Sequence, residues 1–239
     1  MDIRILSIGT LSAHPLWDER HPVRTGHSTT TLIQTNDAKI IVDPGLPAPA
    51  LKARLGERAK LTPDQITHVF LTSFNPECRR GIELFDQAQW LIYEKERESV
   101  GVPIAQSLAS LAQAKEEAEQ AGNEFDDDQE AMFAIIQRDV AVLSRCKPAP
   151  DSIVNEVDLF PLPGFSMGMC GLLLSEPTRT TLVCGDAIPT TEHVHEGKVL
   201  PTCADRKMAQ ESFKEAIEIA DVLICGRDNL IINPTKRGI

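Results

Sequence analysis

Short apolar runs bounded by Gly, Pro, Asn and Asp alternate along this chain with stretches in which apolar residues recur every three or four positions, a rhythm that predicts an α/β fold. Residues 3–8 read as a first strand. Two further runs, 30–34 and 39–42, flank Thr35-Asn36-Asp37-Ala38, whose Asn and Asp favour a tight turn, so a hairpin is predicted, ended by Asp43-Pro44-Gly45. Leu51, Leu55 and Ala59 fall at four-residue intervals and predict an amphipathic helix within 46–61, followed by a short helical turn at Thr62-Pro63-Asp64. Residues 66–71 form a β-branched and apolar run that gives way abruptly to small and polar residues with a proline, as a buried strand does where it ends at a functional loop. His68, inside that run, reads as a structural histidine. A helical stretch at 79–85 with Ile82 and Phe85 inward, then a strand at 89–93, complete the first half.

From about 95 to 145 the period changes. Leu108, Leu111 and Ala112 sit at helical spacing within 104–121, with Gly122-Asn123 as the stop, and Met132, Ile135, Ile136 and Val140 follow a 3.6-residue period within 131–143. Asp126-Asp127-Asp128 precede the second helix and read as its solvated start, where the backbone dipole favours acid. This helical pair is an insertion that serves as either a lid or an oligomer interface. Residues 145–150 read as a Pro-containing connector, and 157–162, 171–175 and 180–184 as strands of a second sheet. A polar loop over 186–207, a helix over 206–220 and a last strand complete a single domain spanning 1–239.

Charge and cysteine usage narrow the setting. With 35 acidic against 24 basic residues the formal net charge is −11, which argues against a nucleic-acid partner. The six cysteines, at 78, 146, 170, 184, 203 and 225, form no C-x-x-C and read as buried free thiols of a reducing compartment. The opening MDIRILSIGT lacks the basic and long apolar regions of a signal peptide, and no apolar run approaches the ~18 residues of a membrane span. The expectation is a soluble, cytoplasmic protein with no membrane partner.

The run ITHVFLTSFNPECRRG, residues 66–81, resembles the strand and metal-binding loop T-H-x-H-x-D-H of the metallo-β-lactamase superfamily, with the frame kept and the histidines lost. Four more segments resemble the family's landmarks in order: TTLIQTNDAKIIVDPG (30–45) its N-terminal hairpin, FPLPGFSMG (160–168) its P-G-H-T-x-G, TLVCGDAIP (181–189) the strand ending in its bridging aspartate, and DVLICGRDN (221–229) its last strand and G-H. The resemblance implies a four-layer αββα metallo-β-lactamase-like sandwich with a helical insertion. It also implies seven metal-ligand positions, occupied here by Ser73, Asn75, Glu77, Cys78, Phe165, Asp186 and Arg227.

Those residues are poor zinc ligands. Zinc takes about four ligands among imidazole, thiolate and carboxylate. Phe165 has no lone pair, and Arg227 carries donors only. The family's first site would retain Asp186 alone, whereas its second would retain Glu77, Cys78 and Asp186 but face a guanidinium. An arginine against two carboxylates takes over the charge-neutralising job of a cation, so Arg227 is expected to pair with Asp186, Glu77 or both. The site is therefore expected to hold no cofactor and the chain to bind a small molecule or protein partner without zinc hydrolysis. The alternative is a metallo-hydrolase with one zinc or other divalent ion rebuilt on Asp186, Glu77 and Cys78, with His193 or His195 as added ligands because alternate residues of an extended segment share a face. Within that alternative a metal-free branch makes Cys78 a nucleophile, its bland counterpart an inert buried thiol, and a third, structural reading makes the helical insertion an assembly surface. Asp186 also has a bland reading, as a cap of the turn after its strand. Within the loop 9–28, His14, His21 and His27 lack the spacing of a dedicated site, and Trp17 reads as a core anchor in preference to a lid.

Overall fold

The computed structural model describes residues 1–120 and 126–236. Ala121 and the predicted stop at Gly122-Asn123 lie outside the described residues. Two six-stranded sheets face one another. The first runs β1 (Asp2–Ser7), β2 (Thr30–Gln34), β3 (Lys39–Val42), β4 (His68–Leu71), β5 (Gln89–Ile92) and β6 (Lys147–Pro148), in that spatial order. The second has the order β12 (Leu230–Ile232), β11 (Val222–Cys225), β10 (Arg179–Gly185), β9 (Cys170–Glu176), β8 (Val157–Pro161) and β7 (Ser152–Val154). β3, β4, β5 and β6 pair in parallel, as do β10 and β11.

Strands covered on both faces must be apolar throughout, and the period of two then sorts side chains between two cores. Ile33, Ile40, Val42, Phe70 and Leu91 meet Leu172, Leu174, Val183 and Ile224 between the sheets. Their neighbours Leu32, Ile41, Val69, Leu71 and Ile92 point the other way, onto Leu51 and Leu55 of α1 (Ala48–Ala59) and onto Ile82 and Phe85. On the far side, Leu182, Cys184, Leu223 and Cys225 pack on Phe213 and Ala216 of α6 (Arg206–Ile219). Helices outside, sheets inside: this is the αββα sandwich that the resemblance implied.

Several local expectations need correction. Residues 145–150 contain β6, which pairs parallel to β5 and extends the first sheet. The predicted helix at 79–85 is split: α2 (Pro76–Arg79) is a single turn, and a 3-10 turn follows at Ile82–Phe85. The first insertion helix, α3 (Glu94–Gln120), begins ten residues before the predicted start and runs through Pro103, which forfeits a main-chain hydrogen bond. Its partner α4 (Asp127–Arg145) is capped by the Asp126 side chain. Among the described residues, the base of this hairpin packs on the core through Val100, Ile104, Val142 and Leu143. Asp139 pairs with buried Arg79 at 2.8 Å and Arg138 with Glu83 at 3.0 Å, which tie α4 to the segment after β4. Among the described residues, no helix is long and apolar enough to cross a membrane.

Candidate functional site

All seven inferred ligand positions lie at the loop ends of β4, β8, β10 and β11. The β4 end is fixed by Asp43, whose buried carboxylate accepts from the Thr72 N–H at 2.9 Å and the Thr72 hydroxyl at 2.7 Å. Burial pushes the Asp43 carboxyl up to about 7 against the opposing pull of the Thr72 hydrogen bonds, and the charge on Asp186 adds to the rise. Beyond Thr72 the chain enters α2. The Asn75 side-chain Oδ1 accepts from the Glu77 N–H at 3.0 Å and Pro76 fills the first helical position, so Asn75 is engaged as a helix cap. Cys78 is buried, its sulfur 3.6 Å from the Ser73 hydroxyl, and burial holds its thiol well above the usual range. A nucleophilic Cys78 is thereby corrected, because a reactive cysteine needs exposure and a stabilised thiolate.

The β10 and β11 ends meet through their glycines. Gly185 adopts φ +51°, and a Cβ on Gly226 would stand 2.4 Å from the Gly185 carbonyl, so both must lack a side chain for Asp186 and Arg227 to approach. The resulting pair is bidentate and buried: Arg227 Nε donates to Asp186 Oδ1 at 2.6 Å and Nη2 to Oδ2 at 2.7 Å. Nη1 of the same guanidinium donates to Glu77 Oε2. Burial alone would lower the Arg227 pKa, but the Asp186 charge and hydrogen bonds outweigh it and raise it, so the side chain is a permanent cation. Asp186 is thus spent on Arg227 rather than on capping a turn.

Phe165 is half-buried against the β9–β11 face and, with Asn75, Glu77 and Arg227, lines a cavity of about 700 Å³. The rest of the wall comes from the loop after β1 (Leu11, Ser12, Ala13, Pro15, Glu19, Arg20), from Pro76 and Arg80, and from Leu200, Pro201 and Thr202. Among the described residues none of α3 or α4 lines this cavity, and the loop after β1 supplies its overhang.

The His193-Val194-His195 expectation also fails. These residues form a helix, α5 (Thr191–Glu196), not an extended strand, so the two imidazoles do not share a face. His193 is buried, bonded through Nδ1 to the Thr190 hydroxyl at 2.9 Å, and lies beside His14, whose Nε2 meets the same hydroxyl at 3.2 Å. Burial first, then the His14 charge, pushes the His193 pKa down to about 4. His195 is exposed. Trp17, the expected core anchor, is 55% exposed; its ring stacks on His14 and carries the Arg24 guanidinium, so it closes a polar loop and not the core.

Three residues escaped the sequence reading. Glu96, buried in the first turn of α3, accepts from the Phe74 N–H at 2.9 Å, the Ser166 hydroxyl at 2.7 Å and the Gly168 N–H at 3.2 Å, and so clamps the loops bearing Ser73 and Phe165 together. Arg20 and Arg80, at the cavity wall, carry no motif. Nothing in the linear pattern marked these residues.

The donor set does not fit a zinc centre. Phe165 offers nothing, Asn75 is committed as a cap, and a cation already bridges the two carboxylates. Among the described residues no three His, Cys, Asp or Glu side chains are grouped so as to hold a metal ion.

The sequence pattern of the metallo-beta-lactamase superfamily matches residues 23–72 and stops where the substituted positions begin. No curated protein matches the sequence. Solved structures do match in shape. A putative metallo-beta-lactamase from Thermotoga maritima superposes with a TM-score of 0.65 at 18% identity over 97% of this chain and 98% of its own. A probable metal-dependent hydrolase from Staphylococcus aureus gives 0.69 at 14% identity over 97% and 91%. AidC, a dizinc quorum-quenching lactonase, gives 0.57 at 17% identity over 80% and 67%. With two facing sheets, outer helices and a site at the strand ends, the chain is a metallo-β-lactamase-fold protein, resembling the metallo-β-lactamase superfamily in fold throughout and in sequence over residues 23–72.

Proposed function

We propose that this chain is a metal-free derivative of the fold that binds a small molecule in the Arg227–Phe165 cavity and does not act as a zinc hydrolase. One observation carries the reading: the Arg227 guanidinium bonds Asp186 and Glu77 at once, the two carboxylates on which a second-site metal would depend. A divalent ion placed there would stand against a buried, fixed cation, and charges of like sign a few ångströms apart in a protein interior repel by several kcal/mol. Asp186 and Glu77 keep their acids and lose their metal, and the cavity keeps its walls. The related folds include a dizinc lactonase, yet scaffold likeness does not transfer chemistry when the site differs.

The rebuilt mononuclear hydrolase on Asp186, Glu77 and Cys78 requires Arg227 to leave its pocket and Cys78 to ionise against its burial, which outweighs the opposing pull of Arg227 and Ser73. A cytoplasmic setting accords with five buried free cysteines and a sixth half-buried. Exposed Met132 and Ile135 on α4 make the helical hairpin the candidate surface for self-association.

Elemental analysis of freshly purified protein, before and after dialysis against zinc, tests the reading. Substoichiometric metal in both samples is expected. A full equivalent of zinc, manganese or iron that Asp186→Ala abolishes would overturn it.

A further inference from the structure

The cavity over Arg227 has a charge surplus. Its wall presents three guanidiniums, Arg20, Arg80 and Arg227, and two carboxylates, Glu19 and Glu77, in a chain that is otherwise acidic. Arg227 is consumed by Asp186 and Glu77. Glu19 is consumed from behind: Arg24 pairs with it, the His14 N–H donates to it at 2.6 Å, and these contacts hold its carboxyl below the usual range. The other two arginines remain. Arg80 makes one bond, from Nη2 to the Gly26 carbonyl at 3.2 Å, and Arg20 has no hydrogen-bond or ion-pair partner among the described residues. Between them the wall is apolar, with Leu11, Pro15, Phe165, Leu200 and Pro201.

From this we infer that the cavity binds a small amphipathic carboxylate, its single negative charge held by Arg20 and Arg80 and its hydrocarbon part lying against Phe165 and Leu200. A planar guanidinium fork suits a carboxylate. One net positive charge on the wall matches a monoanion better than a phosphate dianion, and about 700 Å³ is the size of a small-molecule pocket. Arg227 contributes indirectly, because by pairing with Asp186 and Glu77 it cancels one of their two negative charges and so weakens the repulsion that these acids at the cavity floor would exert on an anion. The inference rests on the metal-free reading and adds to it the class of ligand.

The test is calorimetric titration of chelator-treated protein with straight-chain carboxylates from butyrate to decanoate, each beside the alcohol and the alkyl phosphate of the same length. Saturable binding of at least one carboxylate is expected, with the matched alcohol and phosphate weaker. Arg20→Gln and Arg80→Gln should each weaken the carboxylate by at least about tenfold and leave the alcohol unchanged. Arg20 is exposed, so its variant keeps the fold whatever Arg80→Gln does. Absence of saturable binding, an alcohol or phosphate that binds as tightly as its carboxylate, or carboxylate affinity untouched in Arg20→Gln would each overturn the inference. Those results leave the metal-free reading standing if elemental analysis finds no zinc. Binding that instead requires added zinc and ignores Arg20 defeats both.

Discussion

Arg227→Met is the most informative single change, because it removes the cation and leaves its space filled with carbon. In the native protein the Asp186 and Arg227 side chains are each 2% exposed, so the variant strands an unpaired carboxylate in the interior. Removing one partner of a buried ion pair costs roughly 3–5 kcal/mol. Glu77, with its side chain 29% exposed, regains water and adds little. For a chain of this size ~1 kcal/mol moves Tm by about 2–4 °C, so the expected fall is roughly 6–20 °C. Thermal unfolding followed by circular dichroism measures the fall, and urea unfolding should show a lower midpoint with an unchanged slope. Arg227→Met combined with Asp186→Leu removes both charges and should recover most of the loss, since replacing a whole buried pair by apolar groups is often neutral or better. A single variant within about 0.5 kcal/mol of the parent would refute the claim that this pair holds the site together.

Other consequences follow from the same geometry. Asp43 titrates near 7, above its unfolded value of 3.8, so ionising it destabilises the fold as pH rises from about 4 to about 7; His193 titrates near 4, below its unfolded 6.5, so charging it destabilises the fold as pH falls through nearly the same window. The two slopes oppose each other. Asp43→Asn should therefore expose a loss of stability on acidification, and His193→Gln a loss on going from pH 4 to 7, both read as Tm against pH; identical profiles for the two variants would contradict the assignment. Alkylation under native conditions should modify half-buried Cys203 before Cys78, which mass spectrometry of timed digests would check. Ser73→His, Asn75→His, Phe165→His and Arg227→His together should recover zinc binding, read by metal content, because Asn75, Phe165 and Arg227 line one cavity and Arg227 touches Asp186; no gain would mean that the loops have departed from the family geometry.

Much of this fold was legible because both sheets are sandwiched. Stretches such as 69–71 and 182–184 are apolar at every position and wholly buried, as a strand covered on both faces needs to be. The Asp186–Arg227–Glu77 contact was legible for another reason: once the strand ends were aligned with the landmarks of the resembling family, a permanent cation facing two acids left little choice of partner. What stayed hidden depended on packing. β6 is two residues long and takes its identity from its neighbour β5, so Lys147-Pro148 carries no period. His193-Val194-His195 suggests an extended segment by its alternation, but Thr190 and the turn at Gly197 close it into a short helix. Trp17 has the composition of a core residue and the surroundings of a surface one, stacked on His14 in a loop that no periodicity describes. Glu96 is a carboxylate in the first turn of a helix, where acids are ordinary, and only the folded chain brings Phe74, Ser166 and Gly168 to it.

The claim on which the account depends is that a guanidinium occupies the place of a metal between Asp186 and Glu77. A crystal grown with excess zinc, with diffraction recorded on both sides of the zinc absorption edge, tests it directly. The account predicts no anomalous peak beside the Asp186 carboxylate and planar density for Arg227 bridging it to Glu77. A peak at bonding distance from Asp186, about 2.0–2.2 Å, with the Arg227 side chain swung away, would contradict it.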